Sequence, residues 1–157
     1  MTEYESKDIE DITRKILSSA DAHSEMELQI KVEHILRNFF ESQGIGYEPR
    51  HNITVINGRP DTLYGHAIIE YKVPGTLNSK AKLKAAVVEA QRNISESATQ
   101  NKEDPVKYIG IILDGYKITF TKFRKKWLVE PLSDISTDSV LRMLMYLRGL
   151  AKKTSSS

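Results

Sequence analysis

Cysteine is absent from the 157 residues. Disulfides and thiolate-held metals are thereby excluded, and the absence fits a cytoplasmic protein. No apolar run approaches the roughly 20 residues of a membrane span, and no leader-like pattern opens at Met1, so a membrane partner is not expected. Net charge is scarce as well. The 23 Lys and Arg against 21 Asp and Glu leave only +2. A chain so near neutrality does not advertise nucleic acid through its bulk charge, so any DNA-binding surface has to be local. What is present is ordinary for a globular protein, 39% hydrophobic and 28% charged, and long enough for one domain with a real core. That domain is expected over residues 1–150, with a polar, disordered tail over 151–157.

Against this background residues 58–73 stand out. Gly58 and Pro60 punctuate a turn, and Asp61 follows where a strand would begin. Residues 66–73 read as a second strand, rich in Ile, Tyr and Val and stopped by Pro74 and Gly75. Alternation puts Ile68, Glu70 and Lys72 on one face and Ile69, Tyr71 and Val73 on the other. Ionised groups buried alone are costly, so two of them on one face of an apolar strand suggest a site. Asp61 and Glu70 offer hard oxygen donors beside a lysine. A magnesium-dependent phosphodiesterase needs this combination, with carboxylates to hold the ion and a lysine to steady charge or orient water. The plainer reading is a solvent-facing Glu70–Lys72 ion pair with Asp61 as a turn residue.

The rest of the chain supplies a frame. Ile9, Ile12, Ile16 and Leu17 predict a short amphipathic helix ending near Ser19. Ser24 and Glu27 form a capping-box pattern that opens a helix running to Gln43 and stopped by Gly44. Its buried face holds Leu28, Val32, Ile35, Leu36, Phe39 and Phe40, with Glu33 at the apolar border; His34 reads as a surface histidine. Residues 47–57 predict one strand, with Asn57 and Gly58 as a hairpin turn. A long helix follows over 79–97, its stripe marked by Leu83, Val87, Ala90 and Ile94, with Gln91 at the border. Lys80, Lys82 and Lys84 crowd its first turns against the macrodipole preference, as phosphate contacts or as a solvated face. The apolar run 106–113 predicts a fully buried strand. Asp114 and Gly115 suggest a type I′ turn, and 116–123 its hairpin partner. Arg124, Lys125, Lys126 and Trp127 read as a turn between strands, or as cations beside an aromatic that could meet nucleic acid. A last helix over 137–150 is apolar nearly all round, so it asks for cover on two sides, from another domain or a second copy.

Pro60-Asp61, eight intervening residues and Glu70-Tyr71-Lys72 resemble the signature of the PD-(D/E)XK nuclease superfamily. The setting, with Tyr64-Gly65-His66 before and Pro74-Gly75 after, is similar to the N-terminal nuclease domain of type IIG restriction–modification enzymes. The element order read above matches the αβββαβ core of that restriction-endonuclease-like α/β fold over about 24–123, with helices added at both ends. The resemblance implies a Mg2+-dependent DNA endonuclease, with Mn2+ able to substitute, in a prokaryotic cytoplasm. By carry-over, Asp61 and Glu70 are magnesium ligands, the Tyr71 backbone carbonyl is a further one, and Lys72 positions the attacking water. Glu33 would be an additional acidic ligand and Gln91 a residue reaching the site or the substrate. Arg59 and His66 lie outside the general pattern. DNA is the implied partner, with a methyltransferase or recognition domain beside it and a homodimer to cut both strands. The alternative is a nuclease-like fold that binds nucleic acid or another domain without cutting.

Overall fold

The computed structural model describes residues 5–50, 53–57 and 66–148, with the backbone alone over 47–50 and 53–57. Helix α1, Ser6–Ser18, turns Ile9, Ile12 and Ile16 into the core and leaves Leu17 largely outside. A 3-10 turn, Ser19–Asp21, leads to α2, Glu25–Ser42. Its start is capped reciprocally. Ser24 Oγ accepts from the Glu27 N–H at 3.1 Å, and Glu27 Oε1 accepts from the His23 N–H at 3.2 Å. Its end is a Schellman motif, in which the Gly44 N–H bonds Glu41 O at 3.0 Å and the Ile45 N–H bonds Phe40 O at 2.9 Å. Gly44 supplies the φ of +75° that the motif requires, and Ile45 is buried beyond it.

The architecture is mixed α/β, with a sheet of seven strands among the described residues. Strands β1 (Gly46–Arg50), β2 (Ile53–Asn57) and β3 (His66–Tyr71) form an antiparallel meander. Helix α3 (Lys80–Asn101) then crosses over to β4 (Tyr108–Leu113), which runs parallel to β3 and pairs Glu70 with Ile112. Strand β5 (Lys117–Arg124) returns antiparallel and is flanked by β6 (Lys126–Val129) and the short β7 (Ser133–Asp134). Helix α4, Thr137–Arg148, closes the described chain.

Three expectations are corrected. The run 47–57 is a hairpin and not one strand, because Arg50 pairs with Ile53. Pro49 fits this arrangement, since β1 is an edge strand, where proline is tolerated. The turn after β4 is not type I′. Asp114 and Lys117 flank Gly115 and Tyr116, and only Gly115 has positive φ (+91°), whereas type I′ needs it at both; the Lys117 N–H bonds the Asp114 side chain at 2.8 Å. The strand carrying Glu70 ends at Tyr71, although the Lys72 N–H still bonds Leu113 O at 3.0 Å and extends the ladder by one rung. The segment holding Asp61 and the tail over 151–157 lie outside the described residues.

The two faces of the sheet are covered differently. Ile69, Tyr71, Ile109, Ile111, Ile118 and Phe120 pack with α1, α2 and α4 in the larger core cluster. Ile68, Tyr108 and Ile112 face α3 through Ala86, Val87, Ala90, Ile94 and Ala98. Helix α3 sits close because β4 has Gly110 beneath it. A Cβ there would lie 2.8 Å from Thr121 Cγ2 and 3.4 Å from both Ala90 Cβ and Ile94 Cδ1. The wide apolar arc of α4 finds its cover within the chain. Val140, Met143, Leu144 and Leu147 join the α1 isoleucines and the sheet in one cluster, with Leu141 and Tyr146 at its margin. No helix among the described residues is long and apolar enough to cross a membrane.

Candidate active site

Glu70 lies near the carboxyl end of β3, on the face turned to α3, and is only 9% exposed. In parallel strands joined by a helical crossover, the carboxyl ends are where side chains and loops converge on ligands. Asn93 of α3 donates its Nδ2 to Glu70 Oε1 at 2.6 Å. Two residues on, Lys72 donates its Nζ to Glu89 Oε1 at 2.8 Å. The helix spacing i, i+4 thus meets the strand spacing i, i+2, and makes a two-rung polar contact between α3 and β3.

The electrostatics of the pair follow from this packing. Burial pushes the Glu70 carboxyl above its ordinary range, and the negative charges of Glu89 and Glu25 add to that; the Asn93 bond and Lys72 oppose it. For Lys72, burial alone would depress the ammonium, but its bond to Glu89 and the charges of Glu89, Glu25 and Glu70 outweigh burial and raise it. Lys72 is therefore a cation at neutral pH, suited to stabilising negative charge and not to taking a proton from water.

Tyr71, between them in sequence, turns its ring to the other face. There its hydroxyl donates to Glu33 Oε2 at 3.0 Å. Glu33, which the sequence placed at the apolar border of α2, is buried, but it lies on the opposite side of the sheet from Glu70. The structure does not join the two in one donor group. Gln91 also departs from expectation. It faces the sheet, but its Nε2 donates to Thr121 Oγ1 on β5 at 3.0 Å. Lys80, Lys82 and Lys84 are exposed on the first turns of α3, whose cap is Ser79, accepting from the Lys82 N–H at 3.3 Å. Arg59 and Asp61 lie outside the described residues. His66 is at the far end of β3 from Lys72, stacked on Tyr108 at 4.9 Å and 3.1 Å from Glu103 Oε2.

Sequence reasoning missed Glu89 and Asn93. Both lie on the border of the α3 stripe opposite to Gln91, and their i, i+4 spacing was the available signal. It also missed the role of Asp114, which is fully buried. Its Oδ2 accepts from the N–H groups of Gly75 (3.1 Å) and Leu77 (3.0 Å), and its Oδ1 from those of Tyr116 (3.0 Å) and Lys117 (2.8 Å). One carboxylate thereby ties the segment after Lys72 to the β4–β5 turn and sets where α3 begins.

Among the described residues no three His, Asp or Glu side chains form a metal-holding group; Glu70 contributes one carboxylate, and Asp61 is not among those residues. No protein-family model, no curated protein and no solved structure matches the chain.

Proposed function

We propose that this chain is a Mg2+-dependent DNA endonuclease of the PD-(D/E)XK type, serving as the nuclease part of a restriction–modification system. The observation that carries the reading is the pairing of a buried, charge-strained Glu70 with a cationic Lys72 on one face of β3, at its carboxyl end. The order of helix, three-strand meander, crossover helix and parallel strand is the one that the resemblance implies.

A divalent cation fits the donor chemistry. Glu70 is a hard oxygen ligand whose ionised form is disfavoured by burial and by Glu89 and Glu25, and a cation would relieve that cost. Bound there with Asp61, magnesium would act as a Lewis acid toward the phosphodiester. The chain's own residues do the rest. Asn93 holds the Glu70 carboxylate through Oε1. Lys72, released from Glu89, orients the attacking water and stabilises the negative charge that grows on the phosphoryl oxygens. Water oxygen bonds to phosphorus and loses a proton to solvent, the bond from phosphorus to the 3′ oxygen breaks, that oxygen takes a proton from solvent, and a 5′-phosphate and a 3′-hydroxyl remain.

The closed Lys72–Glu89 pair favours one second reading, a non-cleaving fold whose polar groups satisfy each other. Nicking of supercoiled plasmid separates the two. Wild type should nick with magnesium or manganese and stop with EDTA, and Lys72→Ala should lose most of that activity. Nicking that survives in EDTA, or equal nicking by Lys72→Ala, would overturn the nuclease reading.

A further inference from the structure

At the opposite end of the sheet, where β3 and β4 begin, a second feature stands apart from Glu70 and Lys72. Lys102, Lys107, Arg124, Lys125 and Lys126 are all exposed there. Arg124 Nη1 donates to Val106 O at 3.0 Å and to Phe123 O at 2.7 Å, which ties the tip of the β5–β6 hairpin to the 3-10 turn Pro105–Lys107 directly after α3. These five cations meet two carboxylates in the same segments, Glu103 and Asp104, and both already have partners within the chain, Glu103 half-buried and Asp104 exposed. Glu103 accepts from the Tyr108 hydroxyl at 2.6 Å and lies 3.1 Å from His66 Nε2, while Asp104 Oδ1 caps the Val106 N–H at 3.0 Å. Among the described residues none of the five cations forms an ion pair closer than 4 Å.

The backbone adds an independent observation. Among the described residues the non-glycine positions with positive φ are Lys102 (+55°) and Lys125 (+67°), and both belong to this end. A left-handed conformation costs an L side chain about 1–2 kcal/mol relative to the ordinary helix, and glycine or asparagine takes it with least strain. Lysine stands at both positions, one at the end of α3 and one in the hairpin turn. An ammonium kept twice against that cost points to a use for the charge.

We propose that this end of the molecule is a contact surface for the phosphate backbone of nucleic acid, distinct from the Glu70–Lys72 site and independent of cleavage. The cations are set on fixed backbone, with Arg124 clamped by two carbonyls and Trp127 packed edge-on against Phe123 at 5.2 Å to stiffen the hairpin. Five exposed cations gathered from neighbouring segments suit a row of phosphates, and phosphate contacts of this kind set affinity without reading sequence.

The test is fluorescence anisotropy with a short labelled DNA duplex in EDTA, across a salt series, so that neither cleavage nor a metal enters. Lys102→Asn/Lys125→Asn keeps residues that tolerate the same backbone and removes two charges. It should bind several-fold more weakly and flatten the plot of log affinity against log salt by roughly 0.9 per lost contact, with a melting temperature equal to or above wild type. Lys125→Arg should bind as wild type, which separates loss of the charge from a change in the turn. Lys126→Gln, at an exposed position, should weaken binding without touching the turn. Unchanged affinity and slope in the lysine variants would overturn the proposal, and so would a wild type that binds vesicles of anionic lipid but not the duplex.

Discussion

Replacing Asp114 by alanine removes one side chain and four hydrogen bonds at once. Two of the stranded donors, on Gly75 and Leu77, hold the chain between β3 and α3; the other two, on Tyr116 and Lys117, close the β4–β5 turn. Tyr116 is half exposed, so water replaces part of what its N–H loses, whereas Leu77 is 1% exposed and its N–H has no such substitute. A buried donor left unsatisfied costs about 1–3 kcal/mol, and each of the three bonds exchanged for water about 1 kcal/mol, so Asp114→Ala should lose about 4–6 kcal/mol. Asp114→Asn keeps one acceptor oxygen and turns an amide N–H2 toward two donors, so it should lose about 2 kcal/mol. Urea denaturation followed by Trp127 fluorescence reads the midpoint, and the m-value should be unchanged. A loss below about 1 kcal/mol for the alanine variant would refute the claim that this carboxylate organises both loops.

Three further outcomes follow from the packing around the site. Gly110→Ala drives a methyl into Thr121 and the α3 stripe, which should cost about 1–3 kcal/mol in denaturant and lower the melting temperature; a neutral result would mean that α3 does not rest on β4 as described. Asn93→Ala strips the buried Glu70 of its donor and should cost about 1–2 kcal/mol at neutral pH, measured by the same denaturation. Glu70→Gln has a pH signature. The Glu70 carboxyl is raised by burial, so its favourable contribution is complete below the ordinary glutamate range and is lost as pH rises through the raised value. Melting curves should show the Glu70→Gln variant and wild type alike in acid, and the variant as stable or more so at neutral pH; the reverse order at neutral pH would contradict the burial argument.

The legible parts of the sequence were those decided locally. Ser24 with Glu27, and Gly44 after Phe40, set the ends of α2 because capping is settled within a turn of helix. Glu33 was readable as a border residue of the α2 stripe, and it is buried. Its partner was not, because whether α2 covers the Glu70 face or the Tyr71 face is a matter of tertiary arrangement, and α2 covers the latter. Gln91, Glu89 and Asn93 show the same limit. Each borders the α3 stripe, and only the register of α3 on β3 selects Glu89 and Asn93 to meet Lys72 and Glu70 while sending Gln91 to Thr121. The β1–β2 reversal was not read from the sequence, although Pro49 and Asn52 are residue types that favour turns. The α4 arc was read as asking for cover from another domain or a second copy, whereas α1 and the sheet cover its Val140, Met143, Leu144 and Leu147.

The most direct test of the central claim is plasmid nicking by Glu70→Gln, run beside its melting curve in magnesium and in manganese. The account predicts a protein folded as well as wild type whose metal-dependent nicking is lost, because the amide keeps the Asn93 bond and removes the ligand charge. A folded Glu70→Gln variant that nicks DNA at the wild-type rate would place the chemistry elsewhere and contradict the account.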